Sequence, residues 1–172
     1  MWMCYCEYKQ RAVVDWNAKE SLDVKKLRKI FKRAKKSLFD KFGAEGDPKW
    51  TLHRYEAQIE AHYLGNLDRS RELYEEILKS DSSRAEMWLE YVNLERYHGD
   101  KTKCLSLYKR AVDRVYDDAE KVFESFLSFE RLDGSLDSVV TAEERICAKR
   151  EKLERKKEKM AEPREKEMRR MK

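Results

Sequence analysis

The segment MWLEYVNLER, residues 87–96, decides the fold class of this chain. Its large side chains Trp88 and Tyr91 lie three positions apart, which is the spacing of residues on one face of an α-helix. A second aromatic pair with the same spacing, Trp2 and Tyr5, opens the chain. Such a recurring helical signature predicts a fold of repeated helices, and the five glycines and two prolines are too few for the turns of an all-β chain.

The repeat is clearest where an apolar residue and a glutamate precede a glycine. The three apolar–glutamate pairs lie 35 residues apart and are Ile59-Glu60, Leu94-Glu95 and Phe129-Glu130. The glycines that follow lie 34 and 35 residues apart and are Gly65, Gly99 and Gly134. Glycine can adopt the left-handed conformation that ends a helix, and Asp or Ser can cap the next one. We therefore predict helix ends at these glycines and caps at Asp68, Asp100 and Ser135.

The second helix of each repeat has its own signature. Leu107-Tyr108-Lys109-Arg110-Ala111 matches Leu73-Tyr74 and, earlier in the chain, Ile30-Phe31-Lys32-Arg33-Ala34. The apolar spacing predicts eight helices in four antiparallel pairs, with bounds good to about two to four residues. The predicted pairs are roughly 1–14 with 22–43, 49–64 with 68–80, 84–98 with 101–115, and 117–132 with 135–160.

Trp88, Tyr91 and Glu95 in one helix, followed by Leu-Tyr-x-Arg-Ala at 107–111, resemble the half-a-TPR (HAT) repeat of RNA-processing proteins. The stretches at 87–96 and 129–136 are similar to the C-terminal half of the HAT array in family members that recycle the U4/U6 small nuclear RNP. The similarity covers residues 1 to about 150.

This resemblance implies a non-catalytic scaffold of pre-mRNA splicing in the nucleoplasm. It implies a homodimer formed through the HAT repeats, docking of the DUSP–ubiquitin-like region of ubiquitin-specific proteases, and U4/U6 small nuclear RNP components as partners. The chain lacks the RNA recognition motifs of such proteins, so RNA annealing is not carried over to it.

The predicted fold is all-α, a TPR-like α-α superhelix of about four antiparallel helix pairs with an extended basic C-terminal helix. One helix pair cannot bury its apolar face alone, so neighbouring pairs must stack. The predicted solenoid covers residues 1–148, in units of about 1–44, 49–80, 84–115 and 117–148, and a charged tail covers 149–172. The repeat-signature residues that we expect to pack in the core are Trp2, Tyr5, Phe31, Tyr74, Trp88, Tyr91, Glu95, Tyr108, Ala111, Phe126 and Glu130.

The net charge of +5 resides entirely in the C-terminal segment. Residues 143–172 contain 13 Lys and Arg against 8 Asp and Glu, and the remaining 142 residues contain 26 of each. The basic residues Lys149, Arg150, Lys152, Arg155, Lys156 and Lys157 are therefore candidates for a nuclear-import signal or for contact with phosphates. A solvated helix face stabilised by Glu–Lys pairs is the alternative.

No pattern in the chain predicts an enzyme, a cofactor site or a metal site. The three histidines and four cysteines match no triad or zinc spacing, and no glycine-rich phosphate loop occurs. No run of about 18 apolar residues predicts a membrane span. The alternative to a protein-interaction scaffold is an RNA-binding module that acts through the basic tail.

Overall fold

A computed structural model describes residues 1–16 and 21–170 of the chain, with side chains described as far as Lys159 except at residue 44. Within these residues there are eight α-helices and no strand; the short 3-10 helix Gly43–Gly46 follows α2. The helices are α1 (Trp2–Arg11), α2 (Leu22–Phe42), α3 (Thr51–His62), α4 (Leu67–Ser80), α5 (Ala85–His98), α6 (Lys101–Arg114), α7 (Ala119–Asp133) and α8 (Leu136–Arg170). The all-α prediction is confirmed, and α1 ends three residues before its predicted end. The extended basic C-terminal helix stays a prediction, because side chains are described only to Lys159.

The chain divides into two compact units. The first consists of Met1–Asp81 with Asn93–Lys101, and the second of Ser82–Val92 with Thr102–Lys172. The division into a solenoid over 1–148 and a tail over 149–172 stays a prediction; α8 runs without a break through that boundary.

The core of the first unit forms where α2 packs on α1 and α3. Phe31, Leu27 and Val24 occupy one face of α2 and are at most 3% exposed, as the helical spacing predicts. The first turn of α2 is capped by Ser21, whose Oγ accepts a hydrogen bond from the N–H of Val24 at 3.3 Å. α3 in turn packs along α4. Burial of this apolar surface stabilises the unit by roughly 25 cal/mol per Å².

The core of the second unit is built from aromatic side chains. Tyr108 stacks on Phe126 with ring centroids 5.2 Å apart, and its hydroxyl lies 2.7 Å from Ser125 Oγ. Trp88 is fully buried, and its indole N–H donates to the carbonyl oxygen of Ser82 at 2.9 Å. The polar atoms of these aromatics therefore form hydrogen bonds inside the core. Without such partners, their burial would be costly.

The repeat-signature residues differ in their burial. The buried ones are Phe31, Tyr74, Trp88, Tyr91, Glu95, Tyr108, Ala111, Phe126 and Glu130. Trp2 is partly buried against the first core, whereas Tyr5 is 43% exposed and does not belong to the core. The difference arises because Cys6, the next residue of α1, faces the core and is fully buried, which rotates Tyr5 outward.

The helix ends match the predicted punctuation in part. Gly65 has the left-handed backbone conformation, with φ +57°. Gly99 and Gly134 have no positive φ, so the predicted left-handed turn is wrong at both. Both positions lack space for a side chain: a Cβ at Gly99 would overlap Glu95 Oε2, and a Cβ at Gly134 would overlap Glu130 Oε2.

The capping prediction is confirmed at Ser135 and wrong at Asp68. Ser135 Oγ accepts from the N–H of Ser138 at 3.2 Å, and Ser138 Oγ accepts from the N–H of Ser135 at 2.9 Å. Asp68 lies within the first turn of α4, where it accepts a hydrogen bond from Arg71 instead of from the backbone. The cap at Asp100 stays a prediction.

Candidate interaction surface

Two buried glutamates of the first unit form bidentate ion pairs across neighbouring helices. Arg28 donates from Nε and from a terminal nitrogen to the two carboxylate oxygens of Glu60, at 2.6 and 2.8 Å. Arg71 donates to Glu95 in the same way, at 2.6 and 3.0 Å. The two glutamates are 1% exposed, and the hydrogen bond to Glu95 is the largest cause that raises the pKa of Arg71. Glu95 is thus a charged member of the core, and the sequence pattern missed its arginine partner.

The second unit contains a groove of about 720 Å³ between the 113–117 segment and α8. The side chains that line it include five basic residues and two acidic ones. The basic residues are Arg114, Arg145, Lys149, Lys152 and Lys156, and the acidic residues are Asp113 and Asp117. A concave surface with an excess of positive charge attracts anionic groups.

The structure brings three of the six predicted tail residues together in this groove. Lys149 donates from Nζ to the carbonyl oxygen of Asp113 at 2.6 Å. Burial lowers the pKa of Lys149, and the like charges of Lys152 and Lys156 lower it further, against an opposing effect of Asp113. The ammonium of Lys156 lies 4.3 Å from the centroid of the Tyr116 ring. The groove therefore holds positive charges close enough to repel one another.

The other three predicted tail residues lie outside the groove. Arg150 pairs with Glu120 through hydrogen bonds of 2.5 to 3.1 Å, and the hydrogen bond is the largest cause that raises the pKa of Arg150. Lys157 lines a smaller cavity of about 380 Å³ beside the same pair. Arg155 contacts Glu151 one helical turn away at 3.4 Å. Nuclear import and phosphate contact stay predictions for all six residues.

The histidine pair of the first unit, possible metal ligands and possible membrane spans were each compared with the structure. His98 Nε2 lies 2.8 Å from His62 Nδ1 in the first unit, and burial, followed by the charge of His98, lowers the pKa of His62. Among the side chains that the structure describes, no three His, Cys, Asp or Glu residues are grouped so as to hold a metal ion. The described helices include none with the length and apolar character needed to cross a membrane.

Comparison with known proteins places the chain in a functional context. No family model matches it. It is 37% identical over 142 residues to human spliceosome associated factor 3, U4/U6 recycling protein, which is 80% of this chain and 15% of the human protein. The zebrafish (Danio rerio) protein of the same name is 36% identical over 162 residues, which is 87% of this chain and 17% of that protein. This chain is similar to one segment of spliceosome associated factor 3.

The similarity confirms the predicted resemblance to the U4/U6 recycling factor also called squamous cell carcinoma antigen recognised by T cells. A more distant relative, pre-mRNA-splicing factor clf1 of Aspergillus fumigatus, is 27% identical over 135 residues, 78% of this chain and 19% of that protein. The chain thus spans less than a fifth of the length of each of these relatives, including spliceosome associated factor 3.

Proposed function

We propose that this chain is a non-catalytic protein-interaction module of the machinery that recycles the U4/U6 small nuclear RNP in pre-mRNA splicing. The observation that carries the proposal is the 142-residue similarity to spliceosome associated factor 3, a protein named for U4/U6 recycling. The proposed place of action is the nucleoplasm. The proposed contacts are a homodimer and the DUSP–ubiquitin-like region of ubiquitin-specific proteases.

The distribution of side chains supports a role in binding rather than catalysis. Apart from Trp2 and Tyr5, the signature aromatics and glutamates are buried in the cores, so recognition depends on the other side chains that the helices expose. Phe39 and Phe42 lie three residues apart on α2 and are 68% and 61% exposed. Leu132 and Leu136 are 74% and 80% exposed around the turn between α7 and α8. Exposed apolar side chains that lie close together are typical of surfaces that bind other proteins.

The first test is the mass of the purified chain by light scattering over a concentration series at low and high salt. We expect a mass near twice 20.8 kDa at both salts, since an apolar interface is insensitive to ionic strength. Binding of a purified DUSP–ubiquitin-like region is then measured by calorimetry. A chain that stays monomeric and does not bind this region contradicts the proposal.

An RNA-binding module acting through the basic tail is the second candidate, and the groove at α8 supports it. The test is a titration of U4/U6 RNA with the wild-type chain and with a Lys152→Gln, Lys156→Gln variant, at several salt concentrations. Phosphate contacts predict an affinity that falls steeply with salt and a shallower salt dependence in the variant. An affinity that survives both the substitutions and high salt assigns RNA binding to the helical body instead.

A further inference from the structure

The arginines that pair with buried glutamates occupy one fixed position of the repeat. Arg28 stands two residues before Ile30-Phe31 in α2, and Arg71 stands two residues before Leu73-Tyr74 in α4. The same position in α6, two residues before Leu107-Tyr108, is Leu105. The third buried glutamate of the series therefore lacks the arginine that its repeat position would supply.

That third glutamate, Glu130, resembles Glu95 in its burial and in its contact with a glycine. It is 3% exposed, and its Oε2 lies against the glycine that follows α7, just as Glu95 Oε2 lies against Gly99. Among the residues that the structure describes, its carboxylate accepts one hydrogen bond, from Ser138 Oγ at 2.6 Å. A carboxylate offers about four acceptor sites, and a buried one that lacks a cation is costly. The core thus contains a carboxylate that is ready to accept further donors.

A cavity of about 270 Å³ opens where the arginine is missing. Leu105 and Glu130 both line it, together with Phe126, Thr141 and Ala142. Its volume is slightly below the range of pockets for drug-sized ligands, which suits a single long side chain. Apolar walls that lead to a carboxylate match the apolar stem and the planar head of an arginine.

The basic residues beside the cavity do not neutralise the carboxylate. Lys109 and Arg145 also line the cavity. Arg145 donates instead to Asp113 Oδ2 at 2.5 Å and to the carbonyl oxygen of Lys109 at 3.4 Å. Within the described part of the chain, neither Lys109 nor Arg145 forms an ion pair with Glu130. The carboxylate stays available to a cation from outside.

We propose that this cavity binds the guanidinium group of an arginine side chain that a different polypeptide supplies. Within the chain, Arg28 on Glu60 and Arg71 on Glu95 show the arrangement that such an arginine would complete. Two parallel hydrogen bonds to the carboxylate favour arginine over lysine. The inference rests on the proposed interaction role only for the origin of the arginine; the site itself follows from the repeat and the cavity.

The direct test is binding of acetyl-Gly-Arg-Gly-amide to the full chain, followed by NMR titration, with the citrulline peptide as an uncharged counterpart of the same shape. We expect the arginine peptide to bind the wild type and the exposed-glutamate control Glu124→Gln equally. Binding to Glu130→Gln should weaken by at least about tenfold, since a charge-assisted bond is lost. Equal binding of the two peptides, or binding that is unchanged in Glu130→Gln, overturns the proposal.

A second variant keeps the test decisive if Glu130→Gln fails to fold. Leu105→Arg places the missing guanidinium at its own repeat position, so it should raise the melting temperature and abolish binding of the peptide. Leu105→Met should do neither. A Leu105→Arg chain that still binds the peptide overturns the proposal.

A wild-type dimer that Glu130→Gln converts to monomers also overturns the proposal, because the arginine would then come from a second copy of this chain and not from a different polypeptide. Failure of protease docking bears on the proposed function alone, because these tests use only the peptide and the chain.

Discussion

At the scale of single residues, the buried glutamates are the charges on which the repeat depends. Glu95 is buried and held by Arg71, so removing one partner leaves the other charge poorly solvated. We expect Glu95→Gln to lower the free energy of unfolding by about 3 kcal/mol in urea denaturation. The exposed pair Arg69–Glu72 is the matched control, and Glu72→Gln should cost less than about 1 kcal/mol.

A double variant separates the ion pair from simple loss of packing. If Arg71→Met with Glu95→Gln is more stable than Glu95→Gln alone, the loss arises from a guanidinium that has lost its buried partner and keeps only the exposed Asp68. Additive effects of the two substitutions would show that the pair contributes no coupling energy and would contradict the interpretation.

His53 makes the first unit sensitive to acid. Burial, followed by the charge of Lys35, lowers the pKa of His53 to about 4, and among the described residues its Nδ1 is buried without a hydrogen-bond partner. In the unfolded chain the imidazole titrates near pH 6.5, so below that pH the unfolded state binds more protons and stability falls. Because the ring is only partly buried, solvent screening reduces this effect, and we expect a loss of about 1 kcal/mol between pH 7 and pH 5, measured by urea denaturation at each pH.

The matched variant for this pH dependence is His53→Phe, which keeps a ring beside Trp50 and has no titratable group. Its free energy of unfolding should fall less than that of the wild type over the same pH range. Equal slopes for the two proteins would show that the acid sensitivity arises from other groups.

At the scale of helices, the glycine after each first helix serves the buried glutamate. Because a Cβ at Gly99 would overlap the Glu95 carboxylate, Gly99→Ala should lower the free energy of unfolding by about 2 kcal/mol. Gly43 has φ 59° and ψ −141° with open space around it, so Gly43→Ala should cost about 1–3 kcal/mol of backbone strain, which Glu95→Ala should not relieve. Both are measured by urea denaturation. Adding Glu95→Ala should remove the penalty of Gly99→Ala; if the penalty persists, the overlap is not its cause.

The sequence predicts the helices well because their signals are local. Helical spacing and a 35-residue recurrence place the eight α-helices of the described residues close to their observed bounds, except at the end of α8, which runs to Arg170 where the sequence predicted an end at about 160. The partners of the glutamates were missed because Arg71 and Glu95 are 24 residues apart, beyond any local pattern. A signal was present nonetheless: an arginine two residues before the Leu-Tyr or Ile-Phe pair of α4 and α2. The groove at α8 could not be predicted from the sequence, because its charged residues come from separate segments of the chain.

At the scale of the whole molecule, the basic C-terminal residues belong partly to the fold. In the second unit Lys149 and Arg150 tie α8 to Asp113 and to Glu120, and the guanidinium of Arg150 lies 5.5 Å from the centroid of Phe123. The tail that was predicted from charge alone therefore has two roles. Its first turns are a structural edge of the second unit, and only its exposed charges are free to meet a partner.

Truncation of the tail at two positions separates its structural contacts from its exposed charges. A chain ending at residue 148 loses Lys149, Arg150 and Lys156, so we expect its melting temperature to fall by about 4 °C, whereas a chain ending at Lys159 should melt like the full chain. Circular dichroism on heating measures both. Equal melting of the two truncated chains would show that these contacts contribute nothing to stability.

If the shorter chain is the less stable one, loss of RNA or protein binding on cutting at 148 cannot be assigned to missing charge. Substitutions at Lys152, which lines the groove and forms no hydrogen bond within the described chain, then become the decisive probe of the surface.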